Sequence, residues 1–253
     1  MATAKMLFAM ADYGHDPTET AVPYMAFKKA GFEIQFATEN GKTPECDEKM
    51  LRGITQKLLG ANRFTVNAYD EMSKTPEFCS PLSWSSPDFS LNSYNLVFLP
   101  GGHEKGVRQV IDSPIMHKQL AEYFPATKKP SKKTVAAICH GVMVLSETQD
   151  ANGKSIIHEC DTTALPARFE QFAFWGTRVF LGDYYKTYGV GSDDVEVSVR
   201  KRLDDPAKQY KNSLSPSPFI VQDQKYNYLS GRFPNDAQLL AEKTIDLVKS
   251  NLS

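Results

Sequence analysis

Residues 134–145 read TVAAICHGVMVL. Small and β-branched apolar residues run straight into Cys139-His140-Gly141, after which the chain turns apolar again. The composition predicts a buried strand over Thr134–Cys139 and a helix from Gly141. A thiol at such a strand-to-helix turn is the cysteine counterpart of a nucleophile elbow, in which a sharp bend exposes the attacking atom. The free N–H groups of a helix start favour a thiolate, so the position predicts a lowered thiol pKa. The competing reading is packing, since free cysteine is among the most buried residue types. His140 alone would be a satisfied structural histidine.

Upstream, Lys5–Ala9 is a short apolar run, and Met1–Met10 read as a first buried strand. Ala21, Val22, Met25, Ala26, Phe27 and Ala30 then recur at helical spacing from Glu19, with Pro23 suited to the first turn and Gly31 to the C-terminal cap. Phe32–Ala37 alternates like a strand, which completes a βαβ unit. Asp47–Leu59 predicts a helix, and Ser80–Ser93 is a Ser/Pro/Asn-rich loop. Residues 40–93 read as a cap insertion over the core of a single domain, 1–253. Tyr94–Pro100 (YNLVFLP) is a second buried strand. Residues 107–123 are helix-like, with Val107, Val110, Ile111, Ile115 and Leu120 facing inward. The lysine-rich loop 125–133 is a solvated surface segment, residues 193–217 are polar and charged, and 162–188 hold an aromatic cluster around Glu170. Phe219–Val221 and Tyr228–Leu229 close the sheet, and Asn235–Lys249 is an amphipathic helix capped by Asn235 or Asp236. Strands alternating with helices imply a mainly parallel sheet covered on both faces, with ligands beyond the strands' carboxyl ends.

The chain has 253 residues, 29 Lys plus Arg against 30 Asp plus Glu, and a net charge of −1, which gives no argument for nucleic acid or an anionic membrane. No apolar run approaches the ~20 residues of a membrane span. The apolar run behind Lys5 is too short for a signal-peptide core. Four cysteines, Cys46, Cys79, Cys139 and Cys160, form no metal spacing with the five histidines and too sparse a set for a secreted disulfide framework. A cytoplasmic protein with free thiols, no metal and no cofactor is the expectation.

Three further features lie just beyond strands. Gly101-Gly102-His103 is a tight turn, or a place where backbone N–H groups reach a developing oxyanion. Glu19 is a helix-terminus carboxylate, or a carboxyl reaching the thiol and trading a proton with it. Glu170 is a surface carboxylate, or the acid that orients His140 in a Cys–His–Glu arrangement; Asp161 and Asp183 compete for that role.

Taken together, LPGG at 99–102, AAICHG at 136–141 and ETAVP at 19–23 followed by KKAGFEIQFAT resemble the ThiJ/PfpI superfamily across essentially the whole chain. That group includes the parkinsonism-associated deglycase, the PfpI-type proteases and the heat-shock chaperone/glyoxalase III proteins, and this chain looks most like the last branch. The resemblance implies a flavodoxin-like three-layer α/β/α sandwich with a small cap. It implies Cys139 as nucleophile, Glu19 against the thiol, Gly101, Gly102 and His103 on the oxyanion side, His140 and Glu170 as the rest of a triad, and a homodimer. The superfamily also resembles class I glutamine amidotransferases, but the only histidines after Cys139 are His140 and His158, and no His-x-Glu lies toward the C-terminus.

The implied activity is a glutathione-independent glyoxalase III-like lyase of the D-lactate dehydratase type. It acts on a small aldehyde, methylglyoxal or glyoxal, through a Cys139 hemithioacetal, and needs no cofactor. The alternatives are a stress-related holdase chaperone or cysteine redox sensor, and a hydrolase or hydratase acting on another small electrophile.

Overall fold

The apolar runs marked as strands lie side by side in a computed structural model that describes residues 3–253. Met1 and Ala2, expected at the start of the first strand, lie outside the described residues. The strands are β1 (Lys5–Ala9), β2 (Tyr13–His15), β3 (Glu33–Thr38), β4 (Glu45–Cys46), β5 (Leu82–Ser83), β6 (Leu96–Leu99), β7 (Thr134–Ile138), β8 (Ile220–Gln222) and β9 (Tyr228–Gly231). Seven of them form one sheet in the order β5-β3-β1-β6-β7-β9-β8, and β2 pairs with β4 separately. Among the described residues every pairing in the large sheet is parallel except that of the edge strand β8 with β9.

Period-two alternation sends each central strand's side chains to two cores. Leu7, Val97, Leu99, Val135 and Ala137 face one, with Val110, Met116, Leu120, Val142 and Val199 from the helices on that side. Met6, Phe8, Leu96, Phe98, Ala136 and Ile138 face the other, against Val22, Phe27, Tyr69, Met72, Leu240 and Val248. Burial on both faces explains why these strands read as continuous apolar runs. The result is the expected flavodoxin-like α/β/α sandwich.

The first helix differs from its sequence reading. It spans Pro17–Lys29, because the Asp16 carboxylate accepts hydrogen bonds from the N–H groups of Thr18 and Glu19 at 2.7 and 3.0 Å. Pro17 is therefore the first-turn proline, and Pro23 lies inside the helix. The other end is a Schellman motif: Gly31 N–H bonds Lys28 C=O, Phe32 N–H bonds Phe27 C=O, and the Phe27 and Phe32 rings stack at 5.6 Å.

Downstream, the expected helix over 107–123 is broken. A 3-10 turn at Lys105–Val107 and a short helix, Arg108–Ile111, end before Ser113 caps a new helix, Pro114–Tyr123. The restart at Pro114 changes the helical phase, so Ile115, expected inside, is 41% exposed and Met116 is buried in its place. The expected helix over Asp47–Leu59 also breaks, into Glu48–Leu51 and Gly53–Leu59, at an extended Arg52. Within 40–93 the chain adds β4, β5 and a helix, Arg63–Met72, packed on Pro17–Lys29. The polar stretch 193–217 holds a short helix, Val195–Arg200, which buries Val195 and Val199. Asp236 stands at the cap of the last helix, Ala237–Leu252, but its carboxylate turns to Arg232 instead. Among the described residues no helix is long and apolar enough to cross a membrane.

Candidate active site

The sheet order reverses direction between β1 and β6, the switch point where ligands bind in open α/β sheets. The loops after β1, β6 and β7 meet there. Cys139 follows β7 directly and has φ +57°, which makes it the one residue other than glycine at positive φ among the described residues. A side chain in this left-handed region is strained, and such strain gathers at functional turns. The Cys139 N–H holds the bend to the neighbouring strand by donating to Gly231 C=O at 3.0 Å. His140 and Gly141 then open the helix Gly141–Glu147. Gly141 has no room for a side chain, since a Cβ there would overlap the carbonyl oxygens of Leu99 and Pro100.

Gly101 has a similar reason to be glycine: a Cβ would stand 2.5 Å from Glu19 Oε2 and 2.7 Å from Cys139 Cβ. The bare backbone at the end of β6 thus lets the carboxyl and the sulfur close over it. Gly102, at φ +147°, passes against the Gly14 carbonyl. Glu19 is 1% exposed, and the Cys139 thiol and the Gly101 N–H are its polar neighbours, though neither carboxyl oxygen has a well-aligned hydrogen bond. Burial, then the Asp16 charge, holds the Glu19 carboxyl well above the ordinary carboxylate range.

The thiol departs from its sequence expectation. Burial, followed by the charges of Glu19 and Asp16, pushes Cys139 well above the ordinary thiol range, and the His140 N–H offsets only part of this. Seven residues of helix do not outweigh desolvation beside two carboxyls. The resting group is a thiol, with the Glu19 carboxyl and the His140 imidazole beside it.

The orientation of His140 is fixed from both sides of its ring. Its Nδ1 lies 3.4 Å from Cys139 Sγ, and its Nε2 lies 2.9 Å from Thr187 Oγ1. The Thr187 hydroxyl donates to His103 C=O at 2.7 Å, so its proton is already committed. Thr187 must therefore accept from His140 Nε2–H, which leaves the Nδ1 lone pair facing the sulfur. Burial holds His140 neutral by pushing its pKa down to about 3.

Glu170 is not the group that orients His140. It sits in a 15-residue helix, Ala167–Leu181, and is buried. Its carboxylate accepts from Lys186 Nζ at 3.2 Å and from Val195 N–H at 2.9 Å, and Lys186 also pairs with buried Asp194. The cation holds the carboxylate away from the imidazole, although burial still raises Glu170 to about 7. Asp161 and Asp183 do not reach His140 either: Asp161 lies 3.9 Å from Lys211 and Asp183 pairs with Lys105. The orienting group is Thr187, 47 residues beyond the histidine. Nothing in a Lys-Thr-Tyr-Gly stretch marks that hydroxyl from sequence.

His103 is buried against Tyr185, with ring centroids 4.3 Å apart and stacked, and burial lowers its pKa to about 3. Its Nε2 lies 3.5 Å from Asp47 Oδ2 without hydrogen-bond geometry. A neutral imidazole at that distance is a polar contact rather than an ion pair.

Beside the sulfur is a cavity of about 310 Å³, lined by Cys139, Glu19, Asp16, Gly102, His103 and Glu170 on the polar side. Leu165, Phe169, Ala173, Phe233, Met50 and Pro216 form its apolar wall. Pro216 is held there from below. Arg232, fully buried, donates from Nε and Nη2 to the Asp236 carboxylate at 2.9 and 2.8 Å. It also donates to the carbonyls of Ser213, Ser215 and Ser217.

Asp16 gives a test of these electrostatics. Burial raises its carboxyl to about 6 despite two backbone donors. Between pH ~4 and ~6 the native chain therefore keeps a proton that the unfolded chain has released, and stability falls as pH rises through that window. The substitution Asp16→Asn keeps a capping oxygen but removes the titration. The expected result is a variant more stable than wild type by about 2–3 kcal/mol at pH 8, with the gain gone at pH 4. Urea unfolding at the two pH values measures it, and a loss of stability at pH 8 contradicts the assignment.

The model of a family described as ThiJ/PfpI family-like matches residues 10–218. The chain belongs to the ThiJ/PfpI family. Among the relatives is an uncharacterised Schizosaccharomyces pombe protein, C14C4.04, 28% identical over 99% of this chain and 86% of its own length. The glutathione-independent glyoxalase hsp3101 of the same organism is 28% identical over 58% of this chain and 56% of itself. Among solved structures, glyoxalase III from Candida albicans superposes with a TM-score of 0.69 at 19% identity, covering 96% of this chain and 97% of that one. Schizosaccharomyces pombe DJ-1 follows at 0.53 and 17% identity, covering 98% and 96%. At these identities the structures speak for a shared ThiJ/PfpI fold.

Proposed function

We propose that this chain is a glutathione-independent glyoxalase that converts an α-oxoaldehyde to a 2-hydroxy acid. The observation that carries the reading is the meeting, at a strained, buried thiol that lines the cavity, of a carboxyl with a raised pKa and an imidazole whose lone pair faces the sulfur. The glyoxalase names of two yeast relatives, hsp3101 and hsp3102, support it.

In this mechanism sulfur attacks the aldehyde carbon as the thiol proton passes through His140 Nδ1 to the aldehyde oxygen, giving a hemithioacetal. Glu19, when ionised, is a stronger base than an ordinary carboxylate and removes the proton from the sulfur-bearing carbon. The electron pair forms a C=C bond and charge moves onto the ketone oxygen, which takes the proton of the neighbouring hydroxyl to give an enediolate. Returning the proton to the adjacent carbon gives the thioester of the 2-hydroxy acid. Water adds to the thioester, the C–S bond breaks and sulfur recovers a proton. One carbon is oxidised and its neighbour reduced, so one water is consumed and no outside oxidant is needed. The test is consumption of methylglyoxal by the purified chain without glutathione, with lactate appearing in equal amount. An inert protein with an intact Cys139 thiol overturns the reading.

Thr187 has a place in this scheme as a positioning residue. Thr187→Val removes the acceptor for His140 Nε2–H, so the imidazole loses its tautomer preference. The expected loss in kcat is on the order of tenfold to a hundredfold. Thr187→Ser restores most of it, which separates loss of the hydroxyl from loss of packing. Equal activity in the two variants removes Thr187 from the mechanism.

A second reading, a holdase chaperone, is favoured by one surface feature. Phe172, Trp175, Val179 and Phe180 of the Ala167–Leu181 helix are 77%, 63%, 89% and 87% exposed. Contiguous exposed apolar surface of this kind marks interaction sites. Asp substitutions at Val179 and Phe180 together are expected to abolish suppression of a heated client's aggregation while methylglyoxal turnover continues. Suppression that survives the double variant separates chaperoning from this helix. The same stripe offers a face for the homodimer expected by resemblance, and sedimentation of the double variant against wild type reports it.

A further inference from the structure

The cavity is larger than the smallest α-oxoaldehydes require. An apolar cavity of ~150 Å³ holds a benzene ring, and this one is about 310 Å³. A two- or three-carbon aldehyde at Cys139 would leave most of that space unfilled. The surplus is also chemically biased. Leu165, Phe169 and Phe233 line it while remaining only half-buried, so apolar surface faces the cavity, although Leu165 also packs against both cores. Phe169 and Phe233 meet edge to face, with ring centroids 5.0 Å apart and planes at 74°, which fixes them as a rigid wall. The helix Ala167–Leu181 supplies one side of that wall, and the residues following β9 supply the other. Neither ring is part of the two sheet-face cores.

We propose that the site takes an α-oxoaldehyde carrying a ring-sized apolar substituent, an aryl- or alkylglyoxal, and that Leu165, Phe169 and Phe233 set this preference. The inference rests on the glyoxalase reading for its chemistry and on the apolar wall for its selectivity. The aldehyde carbon goes to Cys139, and the substituent covers the wall. The sheet-end backbone at Gly101 and Gly102 leaves the sulfur side too tight for bulk, so the substituent must lie toward the phenylalanines. Additional apolar contact discriminates by tenfold or more per group in such pockets.

The experiment compares initial rates of the full chain on methylglyoxal, phenylglyoxal and hexylglyoxal without glutathione. The expected kcat/KM for the two larger substrates is at least tenfold above that for methylglyoxal. In Phe169→Ala the ratio of phenylglyoxal to methylglyoxal falls at least fivefold. In Leu165→Trp, which fills the same space, it falls further, with far-UV circular dichroism confirming that both variants fold. Turnover of methylglyoxal with a ratio of one or less overturns the substrate class and leaves the glyoxalase reading standing. Turnover of none of the three overturns the glyoxalase reading, and a binding measurement then decides the apolar preference separately. Acetophenone should bind the Cys139→Ser chain at least tenfold more tightly than acetone by ligand-observed NMR, and Phe169→Ala should reduce that margin. Equal binding of the two ketones overturns the inference.

Discussion

Cys139→Ser is expected to abolish the proposed turnover of methylglyoxal, with kcat lower by about a thousandfold or more, while the melting temperature stays within a few degrees of wild type. The expectation has two parts. A serine hydroxyl ionises far less readily than a thiol, and the buried site already opposes ionisation of the sulfur. Serine is also nearly the same size, and it bears the same φ of +57° without a new clash. Loss of rate without loss of fold is thus the signature of chemistry at sulfur. Glu19→Gln belongs beside it. Burial raises the carboxyl's pKa and so favours its neutral form, which glutamine imitates, so the variant should fold normally yet be unable to remove the carbon proton. Initial rates and thermal unfolding of the two variants settle the matter. Activity surviving in Cys139→Ser removes the hemithioacetal, and normal activity in Glu19→Gln transfers the base role to His140.

The second large effect concerns Gly141. A methyl group there overlaps the carbonyl oxygens of Leu99 and Pro100, which are main-chain atoms of a central strand and the loop that follows it. Neither can swing aside as a side-chain tip would. Gly141→Ala should cost on the order of 3 kcal/mol or more and should also displace Cys139. Gly31→Ala is the control. Its φ of +83° makes alanine unfavourable, but nothing lies within 4 Å of the added carbon. Its cost should stay near about 1 kcal/mol. Urea denaturation of the two variants gives the comparison, and equal destabilisation would mean that the crowding at Gly141 is relieved by movement of the helix.

These effects fall where the sequence was most legible, and the reason is local. A strand, a turn residue and a helix start occupy adjacent positions around Cys139, so one stretch of TVAAICHGVMVL carries the whole elbow. Gly101-Gly102 directly follows its own strand and reads in the same way, and Glu19 stands where the helical spacing after the first strand begins. The alternation of Leu7 with Phe8, and of Val97 with Phe98, set the sheet between two cores. Local reading failed where the decisive partner is far along the chain. Glu170 looked like a triad acid because its aromatic neighbours implied burial. It is buried, but Lys186 and Val195 capture the carboxylate. Thr187 could not be found, because its role depends on a chain of hydrogen bonds that runs from His140 to His103. Ile115 was misplaced by a single proline that resets the helical phase. The thiol was misjudged because desolvation depends on what the fold closes over the sulfur.

Arg232 has a consequence of a different kind. Its guanidinium holds residues 213–217 by donating hydrogen bonds to the main-chain carbonyls of three serines. A grip on main-chain oxygens is indifferent to which residues carry them. The segment that brings Pro216 to the cavity can therefore be rewritten at its side chains with its anchorage intact, whether by drift or by a designer. The sheet, the elbow and the groups around the sulfur stay as they are while one edge of the pocket changes shape. The fold thus separates the thiol and its neighbours from part of the wall that a bound molecule would meet, and the second can change without the first.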